Sequence, residues 1–308
     1  MSDNSPDSVT ASVGAAPSAP SEGCPTPLAW RDVLAAFRSE RDEFSLQTSW
    51  GDVQLWEFGQ GTPLLCLGPA AGDADLFALA AWLLREDYRC LLVTLPVPPV
   101  EVPSTAWLGG MAELVDRVLS ARSCDRVPVL ATGHGCVLAL QTALDIPARV
   151  GRLVLHASPL GMPMTWRERM LLRIGSRRRG PLANVPTYLS VTESNHRRWF
   201  PPFDPSRWEF LRDNLAQTST QRFARTVLAA AETQIESRLH ALDSPVLLVR
   251  SEGEGARLTT AQEQLARELP NVHVEWMHTA GHFPHVTHPH RLVKLLRDFL
   301  APGDNPQA

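Results

Sequence analysis

From about residue 53 to the C-terminus, short apolar runs bounded by turn residues alternate with stretches whose apolar positions recur three and four residues apart. The first pattern predicts strands at 53–58, 63–68, 89–95, 127–132, 152–157, 246–250 and 272–277. The second predicts helices at 76–85, 105–121, 134–144, 260–269 and 289–300, the last with Leu292, Leu295, Leu296 and Phe299 on one face. Strands that alternate with helices in this way build βαβ units. The expected fold class is therefore α/β, with a mainly parallel central sheet flanked by helices.

The rhythm stops between Leu160 and about Leu239. This interval contains Trp166, Trp199, Trp208, a basic stretch over 173–179, a Phe200-Pro-Pro-Phe203 turn, and helical patterns near 209–215 and 222–238. It reads as a mostly helical cap inserted between two strands of one sheet, so that residues 28–308 form one domain with the cap at about 160–239. The Arg177-Arg-Arg179 run could hold an acidic group, but nothing beside it organises a phosphate site, and a solvated loop is the expectation.

Composition narrows the picture by exclusion. A hydrophobic content of 44% over 308 residues is enough for a substantial core, and a net charge of -4 leaves no basic footprint for nucleic acid. The five cysteines, Cys24, Cys66, Cys90, Cys124 and Cys136, show no metal-ligand spacing and read as reduced thiols. Residues 1–27 are rich in Ser, Ala, Pro, Asp and Gly, lack the charged and apolar regions of a signal peptide, and are expected to form a disordered tail. No apolar run is long enough to span a bilayer, so the expectation is a cytoplasmic protein without a membrane partner.

The candidate chemistry gathers at the ends of the strands. The segment Val127-Pro-Val-Leu-Ala-Thr-Gly-His-Gly-Cys136 predicts a buried strand that turns sharply into a helix. In order along the chain come Leu64-Leu-Cys-Leu-Gly-Pro-Ala-Ala-Gly72, Tyr88-Arg-Cys-Leu-Leu-Val-Thr-Leu-Pro96, Ala131-Thr-Gly-His-Gly135, Ser244-Pro-Val-Leu-Leu-Val-Arg-Ser-Glu-Gly-Glu254 and Ala280-Gly-His-Phe-Pro284. From about Trp50 to Leu300, this ordered set resembles the α/β-hydrolase superfamily. The resemblance implies an oxyanion loop at 68–72, a nucleophile turn at 131–135, an acid at Glu254 and a catalytic histidine at His282. The loop at 68–77, which lacks His-Gly, is similar to that of the maspardin family, and this implies a degenerate, non-catalytic binding protein.

The motif physics sharpens this expectation. The nucleophile turn demands small residues two before and two after the nucleophile; Ala131 and Gly135 meet that demand around Gly133, and a frame centred on Gly135 also puts glycine at the centre. Cys136 as nucleophile would put His134 and Leu138 at the tight positions. Pro69, next to Gly68, has no N–H to offer an oxyanion, whereas His134 at the helix start retains one. His282, oriented by Glu254, could still act as a base. No metal or cofactor is implied by His278, His285, His288 or His290, which read as surface and loop residues. Three readings remain in order: a scaffold without a nucleophile that binds a small apolar ligand or a protein, with Gly68, Pro69 and His134 at the ligand; a His282/Glu254 general-base lyase, isomerase or cyclase; and a serine-hydrolase-like esterase.

Overall fold

The computed structural model of the protein describes residues 29–301 apart from 100, 101 and 203; the tail expected over 1–27 lies outside the described residues. Eight strands form one sheet: β1 (Asp42–Thr48), β2 (Gly51–Phe58), β3 (Thr62–Leu67), β4 (Tyr88–Thr94), β5 (Val127–Thr132), β6 (Val150–His156), β7 (Val246–Gly253) and β8 (Val272–Gly281). Their spatial order is β1-β2-β4-β3-β5-β6-β7-β8. The pairs β1/β2 and β2/β4 are antiparallel, and every later pair is parallel. The helices are α1 (Trp30–Glu40), α2 (Ala78–Leu84), α3 (Ser104–Ala121), α4 (Gly135–Asp145), α5 (Trp166–Gly175), α6 (Tyr188–His196), α7 (Ser206–Gln217), α8 (Thr220–Ala231), α9 (Ala256–Glu268), α10 (Pro284–Thr287) and α11 (Pro289–Leu300).

The central strands are apolar throughout because helices cover both faces of the sheet. Along β5, Val129 and Ala131 enter one core and Leu130 the other; β6 separates Leu153 and Leu155 from Val154, and β7 separates Val246 and Leu248 from Leu247 and Val249. Successive side chains on a strand point to opposite faces. α3 and α4 complete the first core, while α1, α2 and α11 complete the second. Leu292 and Leu296 of α11 are buried there, with Leu295 and Phe299 packed at its margin, so the expected stripe forms.

β1 and α1, outside the cap, are among the elements not announced by the apolar rhythm. β1 lies at the sheet edge, where only Phe44 and Leu46 pack against the core and the intervening positions face water. α1 buries little more than Val33, Leu34 and Phe37. The interval between β6 and β7 holds α5 to α8, and residues 177–179 are exposed, as expected of a solvated run. Among the described residues no helix is long and apolar enough to cross a membrane.

One ion cluster fixes the N-terminal helix to the loop that leads toward the site. Asp75, buried in the short turn Ala74–Phe77, accepts from Arg38 Nε at 2.7 Å and from Arg41 Nη1 at 2.5 Å. Arg41 also stacks on the Trp56 ring, 3.7 Å from its centroid. Removing one partner of such a cluster strands the opposite charge in a poorly hydrated place. Asp75→Ala is expected to lower unfolding free energy by about 2–4 kcal/mol, and Asp75→Asn, which keeps an acceptor, by less; urea denaturation measures both.

Candidate functional site

The turn from β5 to α4 is built on two glycines used for different reasons. Gly133 takes φ +57°, the left-handed corner that lets the chain reverse from strand to helix. Its N–H donates to the His156 carbonyl at 2.9 Å, and its own carbonyl accepts from Cys136 N–H at 3.1 Å. Gly135 is already helical, and a Cβ placed on it would stand 2.4 Å from the Leu67 carbonyl oxygen and 2.7 Å from that of Gly68. The first turn of α4 therefore rests directly on the end of β3. Gly133, not Gly135, is the left-handed residue of the turn. Cys136 is wholly buried and directs its thiol to the carbonyls of Ala131 and His156 at 3.3 Å each, and burial pushes that thiol well above its ordinary range.

Gly68 and Pro69 follow β3 and face this turn. A Cβ on Gly133 would lie 3.0 Å from Pro69 Cβ. Farther along the loop, Gly72 N–H donates to Thr218 Oγ1 at 2.7 Å and Asp73 N–H to Asn214 Oδ1 at 3.0 Å, so the cap holds the loop in place. Between loop and turn lies a cavity of about 40 Å³ bordered by Gly68, Pro69, Phe77, Trp107, His134 and Arg222. That is room for roughly three waters. Burial pulls the Arg222 guanidinium below its ordinary range, against the opposing pull of the Asp73 charge. The expected ligand-side residues Gly68, Pro69 and His134 thus meet at one cavity. His282 is not in its lining.

The base side departs from expectation. Glu254, almost fully buried, accepts from Ser251 N–H at 3.1 Å and from Gln262 Nε2, and its Oε1 lies 3.2 Å from His156 Nε2. The same His156 nitrogen is 2.9 Å from Ser251 Oγ, and Nδ1 is 3.3 Å from Thr132 Oγ1. The pairing of Glu254 with His282 is thereby corrected: the β7–α9 turn folds the carboxylate back onto Ser251 N–H, which aims it at β6 rather than at the loop after β8. His156 was the missed residue. Its only mark in the sequence is a polar side chain closing an apolar strand.

His282 follows β8 as expected but stands among rings. Its imidazole lies 4.9 Å from the Phe283 ring, 5.6 Å from that of His196 and 6.1 Å from that of His156, and among the described residues it makes no hydrogen bond. Trp199 from the cap fills the notch beside it, seated on the paired residues Gly253 and Gly281; a Cβ on either would come within 2.6 Å of Trp199. The indole Nε1 and the His196 Nδ1 are buried without partners. His285, expected at the surface, is instead buried in α10 against Phe77, 5.3 Å between ring centroids. Among the described residues no group of His, Cys, Asp and Glu side chains is placed to hold a metal ion.

Burial lowers these imidazoles together. It brings His134 and His196 to about 4 and His285 to about 3, and it depresses His282, with smaller contributions from His156, His196, His285 and His134. Each folded value lies below the ordinary one near 6.5, so between the two the unfolded chain binds more protons than the native one. Stability is then full above about pH 6.5 and falls as pH drops from there toward 4. Denaturant midpoints at pH 7.5 and pH 5 should show this loss. His285→Leu should flatten the profile by about 2 kcal/mol at pH 5. Gly135→Ala, which drives a methyl into backbone oxygen, should cost about 2–4 kcal/mol at any pH by the same assay.

A family model described as the alpha/beta hydrolase family matches residues 64–295. A curated relative, 2-hydroxy-6-oxononadienedioate/2-hydroxy-6-oxononatrienedioate hydrolase of Cupriavidus pinatubonensis, is 25% identical over 76% of this chain and 83% of its own. Among solved structures, an esterase from Exiguobacterium antarcticum is similar with a TM-score of 0.71 and 16% identity, covering 84% of this chain and 99% of that one. A hydrolase from Pseudomonas aeruginosa PA01 is similar with a TM-score of 0.69 and 18% identity, covering 85% and 99%. These two likenesses establish the fold. With the family match spanning β3 to α11 and the strand-turn-helix at its centre, the chain belongs to the alpha/beta hydrolase family.

Proposed function

We propose that this chain is a member of the family without covalent catalysis, which uses the cavity beside the β5–α4 turn to bind a small ligand. The observation that carries the reading is Gly133 at the left-handed corner, facing Pro69. Covalent acyl transfer needs a nucleophile, a base bonded to it, a group that orients the base, and donors for the oxyanion. At the corner there is no side chain, and Pro69 supplies no N–H opposite it. Loss of one oxyanion donor alone typically costs about a hundred- to a thousandfold in rate.

A base-only reaction finds less support. It would require Glu254 to leave His156 and reach His282, whose partly exposed ring packs beside those of His196 and Phe283. The cavity, in contrast, has an apolar wall of Phe77, Trp107, Leu108 and Leu138 and a polar end at His134 and Arg222. That combination suits a molecule of only a few heavy atoms with an apolar side and one acceptor group. The Cupriavidus relative and the structural neighbours are named as hydrolases and esterases; the proposal parts from their chemistry at Gly133.

The purified chain is expected to turn over p-nitrophenyl acetate no faster than buffer and to remain unlabelled by a fluorophosphonate probe. Gly133→Ser should stay inactive, and it should lose about 1–2 kcal/mol of stability from the left-handed backbone and the pressure on Pro69. Turnover by the natural chain that disappears in His282→Ala would defeat the proposal.

A further inference from the structure

The cap carries an unusual surface on α5. Its outward side consists of Trp166, Met170, Leu171 and Ile174, with relative exposures of 67%, 47%, 64% and 60%. They are flanked by exposed Arg167 and Arg173, and by Arg177 just beyond the helix end. Residues 166, 170, 174 and 177 are spaced to fall along one side of the helix. No residue of α5 is fully buried; the helix approaches α8 closely at Gly175, where a Cβ would lie 3.3 Å from Ala224 Cβ, and a capping box between Thr165 and Glu168 closes its first turn.

Charge decides what this face suits. Residues 166–179 contain six arginines and one acid, Glu168, whereas the whole chain carries -4. Glu168 is itself committed to Arg257 Nη1 at 2.6 Å, and Arg169 to Glu232 at 3.1 Å. The face is thus apolar in its middle and positive at its rim, within an acidic protein. A second copy docking symmetrically would set arginine against arginine. An anionic bilayer does the reverse: indole and aliphatic side chains enter the headgroup boundary while the arginine stems extend their charges to lipid phosphates. The face also borders a cleft of about 380 Å³ that shares Trp107 with the cavity at the β5–α4 turn.

We infer that α5 is a peripheral docking face for anionic lipid membranes. It lies in the interface plane, does not span, and works through Trp166, Met170, Leu171 and Ile174 together with Arg167, Arg173 and the 177–179 run. This inference does not rest on the ligand reading above. It reinterprets the arginine run, which in the sequence alone reads as a solvated loop.

The test is flotation of the full chain with extruded vesicles of phosphatidylcholine alone and of phosphatidylcholine with about 30 mol% phosphatidylglycerol. Partition into the anionic vesicles should exceed that into neutral ones by roughly tenfold at low salt and fall steeply toward about 0.5 M salt. Leu171→Asp with Ile174→Asp should reduce it by roughly tenfold; Arg173→Gln and Arg177→Gln should each reduce it by roughly fivefold. All four positions are exposed, and unchanged melting curves verify that the variants fold. Equal partition into both vesicles, no partition into either, or full partition by the variants overturns the inference. So does a dimer in sedimentation equilibrium that Leu171→Asp with Ile174→Asp dissolves while vesicles go unbound, since that assigns the face to a second copy.

Discussion

The contact on which the site depends is the seating of α4 against the carbonyls that end β3. Gly135 admits no Cβ there, because backbone oxygen already occupies the space. Backbone cannot retreat as a side chain can, so the helix axis, the corner at Gly133 and the loop at Gly68 and Pro69 are positioned as one unit. With α4 at that height, Gly135 and His134 border the cavity.

The cap is tied to the same unit from the other side. Thr218 and Asn214 bond the loop at Gly72 and Asp73, and Trp199 closes over the ends of β7 and β8. Imidazoles from β6, the cap and the β8 loop meet beneath that closure, and burial favours the neutral form of His196 and His282. A carboxylate would ordinarily offset such a concentration of basic groups. The nearest one, Glu254, lies on the β6 side and is already satisfied by Ser251 N–H, Gln262 and His156. The result is a polar cluster divided into a fully bonded half around Glu254 and a half held mainly by ring packing around His282.

How much of this was legible in the sequence follows from where each signal originates. β5 was read to the residue, because both its faces are buried and its composition has no other explanation. α11 was read from a single stripe of leucines, since burial on one side imposes a helical period. β1 and α1 were missed because each buries only a few side chains, so neither imposes a period strong enough to detect. The tight turn at Gly133 was legible because its cause is local, a left-handed backbone corner that glycine adopts freely. The partner of Glu254 was not, since the carboxylate is directed by the turn that carries it, which bonds it to Ser251 N–H and points it at His156. Likewise the basic residues of α5 were visible, but not that the apolar residues between them face outward.

Trp199 bears on how freely this molecule could change its chemistry. Its indole rests on two glycines from neighbouring strands, and each of the three residues fits only while the other two remain. A larger residue at 253 or 281 would displace Trp199, and a smaller one at 199 would leave an empty notch over the two glycines. A change at any of these three positions therefore acts on the cap as well as on the strand ends. Substitutions that would be neutral or useful singly are coupled here, and the present state is guarded by epistasis as much as by its own stability.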